Sequence, residues 1–190
     1  MTNSISTERL CLLALTREQI ELYRDAPERL EKQLEFPVSR DNVTEIVQQA
    51  MGMKLSKMAS VDTDLHPWYT YWLIVVTAEE FGAGLAGFKG MPDPSGKVEI
   101  SYGIDPAFRG QGYTTEAVRA LIGWAFGAPA CHAVLASVKK DNLASNHVLA
   151  KAGLSVYHET ADTLHWRIER GCDRLSSKTM EKSSTRQESS

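Results

Sequence analysis

The sequence predicts a mixed α/β (α+β) domain, with a mostly antiparallel central sheet of about six or seven strands and about four helices packed on it. Three observations carry this. Strand-like runs at residues 68–76, 82–89 and 98–104 follow one another with no helix between them, the order of an antiparallel meander. An amphipathic helix then separates the last run from a buried-looking strand at 133–138, so those two strands should lie parallel through a right-handed crossover. Two short runs, 154–159 and 163–169, read as a closing hairpin.

Each element has a local reason. Residues 10–15 form a short apolar run, and Thr16 with Gln19 three residues on makes a capping box that opens a helix. Pro27 interrupts that helix, which resumes through Leu30 and Leu34 before Pro37. A second helix starts near Asp41; Val43, Ile46, Val47, Ala50, Met51, Leu55 and Met58 keep the 3.6-residue period, with Lys54 out of character on it. Residues 60–67 are polar and turn-like, whereas 68–76 are aromatic and β-branched. Residues 91–96 are a turn cluster. Val98, Ile100, Tyr102 and Ile104 alternate with Glu99, Ser101 and Gly103, which puts Glu99 opposite the strand's apolar face. A helix over 112–126 follows, and a shorter one runs from Asn142 or Leu143 to Ala152, where Gly153 supplies the C′ residue.

Length and composition bound the function. The 190 residues suit a single domain over 1–170, followed by a polar tail at 171–190 expected to be disordered. With 43% hydrophobic and 24% charged residues the composition is ordinary for a globular protein, and a net charge of −3 gives no reason to expect nucleic acid. No apolar run suits a membrane span, and the N-terminus lacks the basic-then-apolar order of a signal peptide. Cys11, Cys131 and Cys172 are widely spaced, with no C-x-x-C, and read as free thiols in a reducing cytoplasm. His66, His132, His147, His158 and His165 show no metal-ligand spacing, so no metal is expected. Trp68, Tyr69, Tyr71 and Trp72 suit core and sheet surface, with a substrate-lining role as the alternative.

Two Gly-rich segments compete as phosphate sites. Gly82, Gly84 and Gly87 satisfy G-x-G-x-x-G, but that fingerprint needs a helix opening on the glycines, and the residues that follow, through Pro92 and Pro94, cannot be helical. Small residues in a strand where another backbone packs close are the better reading. The second segment, Arg109, Gly110, Gln111, Gly112, Tyr113 and Thr114, lies between a strand and an amphipathic helix. Its glycines let the backbone turn and present N–H groups, the helix start adds unpaired donors and the positive end of its dipole, and Arg109 adds charge. That combination suits a pyrophosphate. No G-K-[ST] follows, so it is not a nucleotide-hydrolysing P-loop.

Residues 109–117 resemble the R/Q-x-x-G-x-G/A acetyl-CoA loop of the GNAT acetyltransferase superfamily, and look most like its RimJ/RimL-like branch, which acetylates ribosomal-protein N-termini. Three further segments fall in that family's order: residues 98–104 are similar to its fourth strand, Asn142 and Ser145 to the Asn-x-x-Ser start of its last helix, and residues 151–154 to K-x-G-F with Leu154 in place of Phe. The resemblance spans roughly residues 8–170 and implies a GNAT-like fold whose fourth and fifth strands splay apart around the pantetheine arm of acetyl-CoA. It places backbone near Ile104 along that arm and Asn142 beside it, although Asn142 would also serve as a helix N-cap.

The activity implied is transfer of an acetyl group from acetyl-CoA to a primary amine. The acceptor is expected to be an α-amine of a protein or peptide, with a small-molecule amine, or CoA sensing without turnover, as alternatives. The acting form would be a monomer or homodimer. The amine must be neutral to attack: at pH 7 an α-amine costs about 1.4 kcal/mol to deprotonate and a lysine about 4.6. Glu99 is the candidate base, its alternative being a solvated carboxylate on the sheet's polar face. Many members of the superfamily protonate the leaving thiolate with a Tyr near the position filled here by Ala150. Ser145 lies where the RimL-like branch is thought to use a serine, and as a first-turn residue it would equally be structural.

Overall fold

The computed structural model describes residues 4–171, so the tail expected from residue 171 onward falls, Gly171 apart, outside the described residues, as does Cys172. Eight strands make one sheet in the order β1-β2-β3-β4-β5-β6-β8-β7. They are β1 (Ser4–Ser6), β2 (Leu10–Ala14), β3 (Trp72–Val76), β4 (Phe81–Phe88), β5 (Lys97–Ile104), β6 (Ala133–Lys139), β7 (Ser155–Glu159) and β8 (Thr163–Glu169). The helices are α1 (Arg17–Asp25), α2 (Pro27–Leu34), α3 (Glu45–Met58), α4 (His66–Tyr69), α5 (Tyr113–Gly127) and α6 (Leu143–Ala152). Every neighbouring pair is antiparallel except β5–β6, which is parallel as the crossover requires.

The count exceeds the expectation for local reasons. β1 has one apolar residue, Ile5, and is too short for a periodic signal. Pro27 sits in the first turn of a separate α2 instead of kinking one long helix. α3 begins at Glu45, capped by the Thr44 side chain, and not near Asp41. The strand expected from Trp68 begins only at Trp72: Pro67 in the first turn of α4 and a hydrogen bond from Trp72 Nε1 to Pro67 O (3.0 Å) fold Trp68 and Tyr69 back.

The sheet separates two apolar layers. Trp72, Ile74 and Val76 of β3 pack with Val118 and Leu121 of α5 and Leu149 of α6. Leu73 and Val75 face the other way, onto Ile20, Leu30 and Met51 of α1–α3. β3 is thus buried on both faces, and each such side chain contributes about 1.5–3 kcal/mol relative to exposure. The rejected glycine motif lies in β4, where a Cβ on Gly84 would meet Gly103 O at 2.4 Å and one on Gly87 would meet Thr70 O at 2.7 Å. Backbone approach explains those glycines.

The feature that positions the site is where β5 and β6 part. Their ladder joins residues 97–99 to 133–135 and stops, while β5 continues to Ile104 and β6 to Lys139. Lys89 N donates to Glu99 O (2.9 Å) and Asp105 N to Ala83 O (2.8 Å), so the odd-numbered residues of this stretch bond to β4. By alternation, the N–H and C=O groups of Ile100, Tyr102 and Ile104 face the edge that β6 has left.

Candidate active site

β5 ends at Ile104, and the buried Asp105 fixes the turn that follows. Its carboxylate accepts from Ser39 Oγ (2.5 Å) and from Ala107 N (2.8 Å). The chain then reaches Gly110 (φ 76°) and Gly112 (φ 85°), both left-handed, and enters α5 with no side-chain cap. Among the described residues no protein acceptor takes the N–H groups of residues 110–115; the first to bond is Glu116, to Gly112 O at 3.1 Å. A run of free donors at the positive end of a fifteen-residue helix is an anion site.

The loop is braced by a residue that sequence reasoning missed. Arg9, between β1 and β2, donates through Nη1 to Gln111 O (2.9 Å) and through Nε to Glu116 Oε2 (2.8 Å), with its guanidinium 4.8 Å from the Tyr113 ring centre. Glu116 Oε1 takes Thr7 Oγ1 (2.7 Å) and Arg9 N (2.9 Å). Partial burial pushes the Glu116 carboxyl up, but these donors hold it below the ordinary range. The one carboxylate in the first turn of α5 is therefore neutralised locally, beside the free N–H run.

The loop walls a cleft of about 710 Å³ that also reaches the start of α6. Ile104, Arg109, Gly110, Gly112 and Thr114 line it, as do Asn142 and Ser145. Gln111 and Tyr113 do not; Gln111 turns its amide to Ala107 O (3.2 Å) and Tyr113 lies under Arg9. Asn142 caps α6, its Oδ1 accepting from Ser145 N at 3.1 Å, so the cap and the cleft wall coincide. Ala150 is exposed and lines neither this cleft nor the next.

A second cleft, about 520 Å³, opens between α3 and the other face of the meander. The two clefts share Tyr102 and Gly103 and no other residue. The Tyr102 hydroxyl donates to Ser145 O (3.1 Å), and burial pushes its phenol up to about 12. Tyr69 and Tyr71 line the second cleft, whereas Trp68 and Trp72 belong to the core, so the aromatic cluster is divided between the two roles.

Lys54 explains its odd place on α3. Its Nζ donates to Phe88 O (2.7 Å), Thr70 O (3.1 Å) and Tyr69 O (3.3 Å) and sits 4.7 Å from the Tyr71 ring centre, closing the end of the β3–β4 ladder. Burial lowers its pKa to about 8. Glu99 lies on the same sheet face as Ser101 and Gly103 but lines neither cleft; its carboxylate takes Lys89 Nζ at 2.6 Å. His147 touches the first cleft, and no group of three potential metal ligands occurs among the described residues. No helix among them is long and apolar enough to cross a membrane.

Residues 9–155 match the family model described as the acetyltransferase (GNAT) domain. The chain belongs to the GNAT family. Over 95 residues it is 35% identical to an uncharacterized N-acetyltransferase, YjdG, of Bacillus subtilis, a match covering 50% of this chain and 56% of that relative; the chain thus spans little more than half of the curated relative's length. Among solved structures, the fold is similar to that of a ribosomal-protein-S5-alanine acetyltransferase from Vibrio fischeri (TM-score 0.65, 17% identity, 90% of this chain and 98% of that one). It is also similar to RimL, a ribosomal L7/L12 α-N-protein acetyltransferase, in complex with coenzyme A (TM-score 0.63, 17% identity, 88% and 98%). At that identity the likeness is one of fold: a GNAT fold with one parallel pair in an otherwise antiparallel sheet.

Proposed function

We propose that this protein transfers the acetyl group of acetyl-CoA to a primary amine, an α-amine of a protein or peptide. The observation that carries this is the meeting of two clefts at Tyr102–Gly103 alone, on the β5 edge that β6 leaves open. The first cleft, with its free N–H run, would hold the pyrophosphate and Arg109 would add charge. Asn142 and the open edge near Ile104 would flank the pantetheine arm. The second cleft would hold the acceptor. That RimL and the S5 enzyme, which share the fold, are described as ribosomal-protein acetyltransferases supports a peptide α-amine over a small molecule.

The bound cosubstrate supplies the thioester; the chain's own residues orient, polarise and handle protons. An open-edge N–H of β5, from Tyr102 or Ile104, would stabilise the oxyanion that forms on attack, a contribution of about 3–4 kcal/mol where single donors have been removed from such sites. Glu99 would draw the proton from the amine through water. A role relayed along several waters is supported over a direct one because Glu99 stands four residues along β5 from Gly103, about 13 Å of strand, and already carries Lys89. Ser145 would donate a hydrogen bond to the departing sulfur, and Tyr102 would do so by turning its single O–H away from Ser145 O. With its phenol near 12, Tyr102 would hand its proton to a thiolate of ordinary basicity only at a cost of roughly 5 kcal/mol, so it serves as hydrogen-bond donor and not as the acid. The test is turnover with acetyl-CoA and a panel of peptides and small amines, following free thiol and acetylated product. Acetylation of peptide α-amines supports the reading; CoA binding without turnover on any amine refutes it.

A further inference from the structure

The second cleft is graded along its length, and the grading selects among acceptors. Gly103 pairs with Leu85 and Ile100 with Phe88, while Lys89 N bonds to Glu99 O, so Lys89 lies four residues along the ladder from the point where the clefts meet. Four residues of strand span about 13 Å. α3 runs alongside in the matching sense. Asn42, just before it, donates to Ala83 O near the Asp105 end of β5, and Lys54, late in the helix, reaches Phe88 O.

Between those ends α3 presents a second apolar stripe, separate from the Met51, Leu55 and Met58 stripe that enters the core. Ile46, Ala50 and Met53 line the cleft at helical spacing, and Ile46 and Met53 are 78% and 67% exposed. The far end is cationic. Lys54, Lys57 and Lys89 are the charged residues of the lining, and no Asp or Glu lines the cleft. Lys54 is engaged by three carbonyls and Lys89 by Glu99, whereas Lys57 is exposed and enters no ion pair among the described residues.

We infer that the acceptor is a peptide whose N-terminal residues are apolar and whose fourth or fifth residue is acidic; this rests on the peptide α-amine reading above. An extended peptide with its amine at Gly103 advances about 3.3–3.4 Å per residue and reaches the cationic end at that position. The apolar stripe of α3 covers the residues between. The same cleft disfavours polycationic acceptors such as polyamines, because no carboxylate lines it and the unpaired Lys57 is a like charge.

Three hexapeptides with a shared apolar N-terminal half, carrying Asp-Asp, Ala-Ala or Lys-Lys at positions four and five, test this by kcat/KM at low ionic strength. The expected order is Asp over Ala over Lys with steps of at least fivefold, compressed in high salt. Lys57→Glu should narrow or invert the order while leaving CoA affinity unchanged. Equal rates for the three peptides, or an order that Lys57→Glu leaves untouched, overturns the inference while the peptide reading stands. If no peptide is acetylated but a small amine is, the peptide reading fails and the inference falls with it. If nothing is acetylated, the transferase reading itself fails.

Discussion

Lys54 gives a quantitative test of how the second cleft is built. Its ammonium is held by the carbonyls of Phe88, Thr70 and Tyr69 and by the face of Tyr71, yet burial lowers its pKa from 10.5 to about 8. In the unfolded chain the same lysine titrates near its ordinary value. Between about pH 8 and 10.5 the unfolded state therefore binds more protons than the folded one, and stability rises with pH through that window. Below the window Lys54 imposes its full cost, roughly 3 kcal/mol, and above it the cost disappears. Other groups titrate in this range too, so the informative quantity is the difference between wild type and Lys54→Met, in urea melts from pH 7 to pH 10. Wild type should gain roughly 2–3 kcal/mol on the variant across that interval. At pH 7 the sign of the variant's effect is open to two opposed terms, since Met escapes the desolvation cost but abandons three carbonyls. A wild-type-minus-variant difference that is flat with pH would refute the reasoning, and would mean that the three carbonyls fully compensate for burial.

Arg9→Ala should weaken CoA binding several-fold, more at low salt than at high, with kcat at saturation unchanged; adding Glu116→Gln should recover part of the loss by removing the exposed carboxylate, and calorimetric titration of the three proteins checks this. Glu99→Gln should lower kcat by roughly 10²–10⁴ at pH 7 and by less as pH nears the acceptor's own pKa, while full activity at pH 7 would reduce Glu99 to a surface carboxylate. Tyr102→Phe should lower kcat by about tenfold with CoA affinity unchanged, the scale of one lost hydrogen bond to a charged group. Because burial pushes the Tyr102 phenol up to about 12, the pH–rate profile below pH 9 should keep its shape in that variant.

Much of the fold and half of the site are legible in the chain because their signals are local. The alternation from Val98 to Ile104, the glycines at 110 and 112, and the Asn142 cap with Gly153 at the far end of α6 each follow from a few adjacent residues. Lys54 is visible as an anomaly on an apolar helix face, though its partners are not, since they come from the end of β4 and from the turn that joins α4 to β3. Arg9 was invisible: its partner Glu116 lies 107 residues away, and nothing local sets that arginine apart from others. Tyr102 read as an apolar-face residue of a strand, and only the parting of β5 and β6 turns it toward α6 and both clefts. The strand expected over 68–76 failed in its first half because Pro67 favoured a helical turn over aromatic strand propensity.

The central claim is that the free N–H run from Gly110 into α5 binds the pyrophosphate of the acetyl donor. Thermal melts of wild type and Gly112→Trp, with and without acetyl-CoA, test it most directly. Gly112 adopts a left-handed φ of 85°, and a Cβ there would already lie 3.4 Å from Arg9 Nη2, so an indole at this position both strains the turn and covers the donors. Acetyl-CoA should raise the melting temperature of the wild type and leave a folded Gly112→Trp protein, verified by circular dichroism, unshifted. An undiminished shift in the folded variant would contradict the account and move the cosubstrate site elsewhere.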